Sequence, residues 1–490
     1  MVACSADIIS YSDGFERATP ESQGVSSREI LNLFNSLQEK EMEIHGLMIL
    51  RHDKVIAEHW WEPYSPELPH SMYSSTKTFT GAIIGFAVQE GLLNVNDKVM
   101  DFFPELLPEQ IPAGLEKLTV YHLLTMSAGH ADTRYAGSGF EQIASFLAKD
   151  YAYEPGTHFE YNVTCTHMLS CILTRITGIS IYEYAKPRLF DPLGIDVACW
   201  EMDNDGHNLG NGGLHLKTSD LAKFGTFLKN GGKWNGVQLL NKEWVADMTT
   251  PHIFQRPDRS DEENATLDDT GCGYGYQTWM GRHHTFRAIG ASNQVVIVFP
   301  EEDMVVAAHS TIRSETDFNN IVYALIETLS DSALPESDID LNAELEKYRL
   351  AVPIALTDIE PLKSCTRIFS VEDNPYGIST IRLRFDMNGD MLLTLESASS
   401  INNINFGYNT WKYGTTDRTN PNSRSVYTNT VNVTPYTTAG ICSWNSDRQL
   451  TAYYLSTFNI NTNETFVFDF SQDKATMTIS GRTPIVFREK

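Results

Sequence analysis

Between residues 26 and 40 the apolar side chains fall at Ile30, Leu31, Leu33, Phe34 and Leu37. That spacing makes one helical face, with Ser26 placed to cap its start. Residues 47–50 then form a short apolar run, His52-Asp53-Lys54 a turn, and 55–59 a return strand, so a β-hairpin is expected. From 75 to 90 the pattern changes. Phe79, Ile83, Ile84, Phe86, Ala87 and Val88 leave few polar positions, which predicts a helix buried nearly all round. Gly91 suits its C-terminal stop. Residues 116–228 alternate short helical stretches with turns, and strand patterning returns at 286–290, 294–300 and 304–310, the last two joined by a turn at 300–303. A helix over 317–329 follows. This order predicts an α/β domain over residues 20–332: a five-stranded antiparallel sheet built from both ends of the segment, flanked by helices, with a helical subdomain inserted.

Beyond it, residues 333–356 read as a linker. Residues 357–490 shift to Thr, Asn, Ser and Tyr with alternating strands and an Asn388-Gly389 turn, so a C-terminal all-β domain is expected, a barrel or a sandwich.

Composition narrows the function classes. The 490 residues are 41% hydrophobic and 20% charged, ordinary for a globular chain. A net charge of −26 argues against nucleic acid as a partner. The seven cysteines are scattered, with no C-x-x-C and no ligand spacing to histidines, so reduced thiols and no metal are expected. No apolar run approaches the ~18 residues of a membrane span. The first residues show neither a basic region nor an apolar stretch, which points to a cytoplasmic protein, although Val2-Ala3-Cys4 has the form of a lipoprotein cleavage site. Oligomeric state is not legible.

The sharpest chemical signal is Ser74-Ser75-Thr76-Lys77, a S-x-x-K opening the buried helix. Residues three apart share a helical face, so Lys77 can reach the Ser74 hydroxyl. Burial disfavours the ammonium and makes the amine a candidate base. A bland reading makes Ser74 a cap and Lys77 a surface residue, and Ser471-Gln472-Asp473-Lys474 fits the same spacing without such a setting.

The surrounding sequence decides between them. HSMYSSTKTFTGAIIGFAVQEGLL, NDKVMDFFPE, LTVYHLLTMSAGH, EPGTHFEYNVTCTHMLSCI, LFDPLGI, LKTSDLAKFG, GYGYQTW and FRAIGASNQVVIVFPEEDMVVAAHS occur in that order. Together they closely resemble the serine hydrolases related to class C β-lactamases and penicillin-binding proteins, over roughly residues 20–330. The resemblance implies a β-lactamase/DD-peptidase-like fold and acyl transfer without a cofactor. Ser74 would be the nucleophile, Lys77 its partner and Tyr161 the tyrosine of the Y-x-N motif; Tyr427-Thr428-Asn429 spells the same motif outside the frame. Two positions depart from the pattern. Val163 stands where the motif has Asn or Ser, leaving the adjacent Asn162 as the candidate substrate amide contact. Ala288-Ile289-Gly290 stands where the family has K-T-G or H-x-G, so the cation that binds a substrate carboxylate is missing; Arg287 is expected on the opposite strand face. Gly290 would let substrate approach the strand, and the backbone N–H groups of Ser74 and Ala291 would form the oxyanion hole. The expected substrate is a small ester or amide. A β-lactamase or D-amino-acid peptidase is the alternative within the family, and a non-catalytic binding protein on the same fold the alternative outside it.

Other candidates rest on position alone. His283-His284 would form a solvated turn, and Trp60, Trp61, Tyr274, Tyr276 and Trp279 either an aromatic rim or core. Residues 258–269 read as an exposed acidic loop, and GNGG at 210–213 lacks the context of a phosphate loop.

Overall fold

The first apolar stripe forms α1 (Ser27–Glu39), capped by Ser26, whose hydroxyl accepts from the Arg28 N–H. β1 (Ile44–Arg51) and β2 (Lys54–Trp60) are the expected hairpin. α2 (Thr76–Gln89) is buried over most of its length, and Gly91 follows it at φ +71°, a left-handed conformation that glycine adopts without strain. α3 (Val163–Thr177) and α4 (Thr218–Lys229) belong to the segment between the sheet's two halves. β3 (Phe286–Gly290), β4 (Gln294–Phe299) and β5 (Met304–Ser310) complete the main sheet, and α5 (Glu315–Ile326) covers it. The computed structural model describes residues 13–417, 436–458, 463–470, 475–480 and 483–489. Cys4, Ser471–Lys474 and Tyr427–Asn429 lie outside the described residues.

The main strands run in the order β2-β1-β5-β4-β3, all antiparallel. β5 sits in the middle, pairing Ala307 with Met48 of β1 and Ala308 with Val295 of β4. Two-residue strands add the outer edges: Glu16–Arg17 runs parallel to β2, and Trp279–Met280 antiparallel to β3. Such short pieces carry no alternation to read. α2 lies in the core of this unit, with Phe79 stacked on Phe224 of α4, ring centroids 3.6 Å apart.

The C-terminal unit is a barrel of ten strands: β6 (Cys365–Val371), β7 (Ile378–Phe385), β8 (Met391–Ser397), β9 (Ile401–Tyr408), β10 (Lys412–Thr416), β11 (Tyr436–Ser446), β12 (Gln449–Ser456), β13 (Asn463–Asp469), β14 (Ala475–Ile479) and β15 (Ile485–Glu489). The first and last strands pair, Phe369 opposite Glu489, and a parallel pairing of β9 with β11 closes the ring at Gly407↔Ile441 and Tyr408↔Cys442. Leu383, Leu393, Phe406, Phe466 and Phe487 fill its core. Asn388-Gly389 lies in the β7–β8 turn, where the Asp386 carboxylate accepts from the N–H groups of Asn388 and Asp390.

Two expectations need correction. The middle of the stretch read as a linker is packed: Leu341–Leu345 is a helical turn, Leu345 is buried, and the Tyr348 hydroxyl donates to Asn35 Oδ1 on α1 at 2.7 Å. Leu341, Leu345 and Tyr348 recur at helical spacing and supply an apolar face that the charged residues between them conceal. The division between compact units falls between Tyr348 and Arg349. The acidic stretch at 258–269 is not simply a loop either. Asp261–Thr266 is helical behind a Ser260 cap, and Asp269 is buried, accepting from Arg282, Asn319 and Tyr323.

Candidate active site

Ser74 occupies a single tight turn, Tyr73–Ser75, that runs directly into α2. Tyr73 is held at φ +45°, which an L-residue seldom adopts. The turn is pinned from both sides. The Ser75 hydroxyl donates to the Gln294 carbonyl, and the Met72 N–H donates to Leu214 O at 2.8 Å. Ser74 itself stays partly exposed.

Lys77, on the first turn of α2, is 2% exposed. Its ammonium donates to Ser74 Oγ at 2.8 Å and to the Asn211 carbonyl at 2.8 Å. Burial pulls its pKa below the ordinary lysine value, partly opposed by the neighbouring Tyr161 phenol. The amine is thus easier to deprotonate than a surface lysine, and it already touches the hydroxyl whose proton it would take. The Tyr161 ring centroid lies 5.1 Å from Lys77 Nζ. The structure therefore brings Ser74, Lys77 and Tyr161 together, and the 210–213 segment contributes the carbonyl that fixes the lysine.

Gly290 lies at the end of β3 against the Ser74 turn. A Cβ there would stand 3.0 Å from Ser74 N and 3.1 Å from Ser75 N, and closer still to the Met72 carbonyl. Only glycine permits that approach. The next three residues form the β3–β4 turn, and Gln294 locks it, donating from Nε2 to Ala291 O at 3.1 Å and to Ser310 O at 2.6 Å. Ala291 is exposed, at the same end of the strand as the Ser74 backbone.

Asn162 is placed differently from the expectation of a substrate contact. It is 1% exposed and caps α3, its Oδ1 accepting from the Thr164 N–H at 3.1 Å while its Nδ2 donates to the Tyr135 hydroxyl at 2.6 Å. Tyr135 in turn meets His130 Nδ1 at 2.8 Å, and burial holds that imidazole down to about 4. A residue that starts a helix is pulled toward the backbone, away from the cleft. Val163, one position on, is partly exposed.

In the Ala288-Ile289-Gly290 segment, Ala288 is 2% exposed and offers no charge. Arg287 is buried with its guanidinium committed to Glu315 Oε1 at 2.9 Å and to the Met280 carbonyl at 2.7 Å. His283 and His284 form an exposed turn. The aromatic candidates divide. Trp279 packs on Tyr161, centroids 5.5 Å apart, and on Phe159 and Tyr274, forming an aromatic wall beside Tyr161. Tyr276 instead stacks on His252 at 4.5 Å. Trp60 lies on β2, while Trp61 groups with the second compact unit.

One cluster brings together residues that the sequence reading left unlinked. Cys171 follows His167 by one turn of α3, and His167 Nε2 meets both Cys171 Sγ and Asp203 Oδ2. The two halves of that cluster are far apart in sequence, and neither half forms a ligand motif alone.

Fold and site together define a β-lactamase-like α/β domain carrying a serine–lysine–tyrosine cluster at the start of its buried helix. The sequence profile of the family described as Beta-lactamase matches residues 34–328. The chain belongs to the β-lactamase family, whose members are serine hydrolases. Among its relatives is the 6-aminohexanoate-dimer hydrolase of Paenarthrobacter ureafaciens, 24% identical over 285 residues, covering 54% of this chain and 72% of that one. Similar solved structures include a penicillin-binding protein homologue from Caulobacter crescentus (TM-score 0.51, 15% identity, 61% of this chain and 97% of that one). A family VIII carboxylesterase is similar at TM-score 0.51 and 14% identity, over 64% of this chain and 99% of that one. Among the described residues no helix is long and apolar enough to cross a membrane.

Proposed function

We propose that this chain is a serine hydrolase acting by acyl transfer on small neutral esters or amides. The observation that carries the reading is the buried Lys77 amine, 2.8 Å from the Ser74 hydroxyl. In the proposed cycle Lys77, with Tyr161 beside it, takes the Ser74 proton as Oγ attacks the substrate carbonyl. The backbone N–H groups of Ser74 and Ala291 hold the oxyanion. The leaving group departs with the proton, relayed through Tyr161, and water attacks the acyl-enzyme by the same route in reverse. No cofactor enters this scheme.

The neutral substrate follows from Ala288 and Arg287. The family's carboxylate-binding position has no cation, and the neighbouring guanidinium is already paired inside the protein. The ester and amide chemistry is supported by the relatives' own descriptions, one a dimer hydrolase and one a carboxylesterase.

A fluorophosphonate probe tests the nucleophile directly. The full chain should label, and Ser74→Ala should not, with ester turnover falling about 10³-fold or more. A folded wild-type chain that neither labels nor turns over any ester, amide or β-lactam in a panel would favour the binding-protein alternative. Full activity in folded Ser74→Ala would remove the acyl-enzyme.

A further inference from the structure

We propose that His167, Cys171 and Asp203 form a buried binding site for a divalent cation of the zinc class. His167 Nε2 lies 3.6 Å from Cys171 Sγ and 3.1 Å from Asp203 Oδ2, and all three donor atoms fall within 4.8 Å of one another. The donor–donor edges of a zinc tetrahedron, from its usual bond lengths, are about 3.4–3.6 Å. The two edges that meet at His167 Nε2 therefore stand close to ligand geometry, and the Cys171–Asp203 edge, within 4.8 Å, would close onto a bound cation. All three are buried, at 1%, 0% and 4% exposure for His167, Cys171 and Asp203 respectively.

A single Nε2 proton satisfies the His167–Asp203 contact or the His167–Cys171 contact, not both at once. With Nε2 bare, the imidazole lone pair faces the carboxylate at 3.1 Å with nothing between them. A cation among the three would pair the Nε2, Sγ and Oδ2 lone pairs at once, while the His167 Nδ1 stays buried without a hydrogen-bond partner among the described residues. Metal binding would release the Cys171 thiol proton to solvent, form the metal–thiolate bond and neutralise the buried Asp203 charge.

Support behind the ligands is already built. Asp203 Oδ1 accepts from the N–H groups of Asp205 and His207, both at 2.9 Å, and Oδ2 accepts from His207 Nδ1 at 2.8 Å. Hydrogen bonds of this kind orient a ligating carboxylate. Imidazole, thiolate and a single carboxylate form a borderline-soft set, suited to zinc rather than to magnesium or calcium.

The site joins two segments that serve the Ser74 cluster. α3 begins two residues after Tyr161, and the segment following Asp203 leads to Asn211, whose carbonyl holds Lys77. The Ser170 hydroxyl on α3 already donates to Asn208 O at 2.7 Å. The proposed role is to fix that junction, with no part in the chemical steps.

The full chain, exchanged into zinc chloride and then into metal-free buffer, should retain about one equivalent of zinc by elemental analysis. Its Tm should rise by several degrees over the chelator-treated chain. Loaded with cobalt chloride instead, it should show a thiolate-to-cobalt charge-transfer band. Cys171→Ser should lose that band and His167→Gln the retained zinc. His207→Ala removes only the outer hydrogen bond, so it should keep the band while binding zinc about 10–100-fold more weakly. A wild-type chain that retains no zinc and gives no cobalt band overturns the proposal whatever the variants do. Equal zinc retention by folded wild type, Cys171→Ser and His167→Gln overturns it as well.

Discussion

Replacing Gly290 by alanine adds one methyl group where β3 meets the Ser74 turn. The new Cβ would lie 3.0 Å from Ser74 N and 3.1 Å from Ser75 N, with the Met72 carbonyl nearer still. These are backbone atoms, which cannot swing aside as a flexible side-chain tip would. Relief requires strand and turn to separate by about 1 Å, a displacement that costs about 10²-fold in rate when it falls on reacting groups. The displaced groups would be the two proposed oxyanion donors, and loss of one such donor is worth about 10²–10³ in kcat. Overpacking should also lower stability by about 1–3 kcal/mol. The expected result is a folded Gly290→Ala protein with kcat on a short-chain nitrophenyl ester down about 10²–10³-fold and KM little changed. Ile289→Ala, at the neighbouring half-buried position, serves as the control and should stay near wild type. If Gly290→Ala retains kcat within about threefold of wild type, the assignment of this strand end to oxyanion stabilisation is wrong.

Other outcomes follow from the same geometry. Because burial lowers the Lys77 pKa, kcat/KM should rise with pH through an inflection below 10.5, and Lys77→Met should lose about 10³-fold or more. The unfolded chain keeps that proton up to 10.5 while the folded lysine releases it earlier, so this group's contribution to stability grows as pH rises through the interval; Tm measurements on Lys77→Met should show a shallower slope there. Nitrocefin should be the poorer substrate. A missing charge-assisted hydrogen bond to carboxylate is worth roughly 10–150-fold, and kcat/KM for nitrocefin at or above the nitrophenyl ester value would show that another cation binds the anion. Asn162→Ala should act on stability, lowering it by about 0.5–2 kcal/mol through the lost cap, with kcat little altered; a large kcat loss at unchanged Tm would return Asn162 to the substrate. Limited trypsin digestion should cut first at Arg349 or Lys363, beyond the packed Leu345 and Tyr348, and early cuts at Lys347 or before it would contradict that packing.

Much of the main unit was legible because its signals are local. The α1 stripe, the hairpin at 44–60, the apolar α2 and the three late strands each carry their period within a dozen residues. Ser74 and Lys77 were legible because three residues on a helix start determine their own proximity. What stayed open or was missed was non-local or concealed. A ten-strand barrel and a sandwich present the same alternation, and closure rests on two residue pairs between β9 and β11. Asn162 looked like a displaced motif residue, yet its place at the start of α3 commits it to the Thr164 N–H. The Trp279 wall and the His167–Cys171–Asp203 cluster join residues that only the folded chain brings together. Gln294, which fixes the turn bearing Ala291, shows no motif beyond following a hairpin loop.

The central place of β5 has a temporal consequence for a chain made from its N-terminus. β1 and β2 can pair as soon as they emerge, but the other edge of β1 belongs to residues 304–310. At about 5–20 residues per second, that edge waits on the order of tens of seconds for its partner. During the wait Leu47, Ile49 and their neighbours present an open strand edge of the kind that recruits foreign strands. The nascent chain therefore passes through an aggregation-prone interval before β5 exists. Slower elongation across the helical insertion should lengthen that interval and lower soluble yield, even though the finished sheet is unchanged.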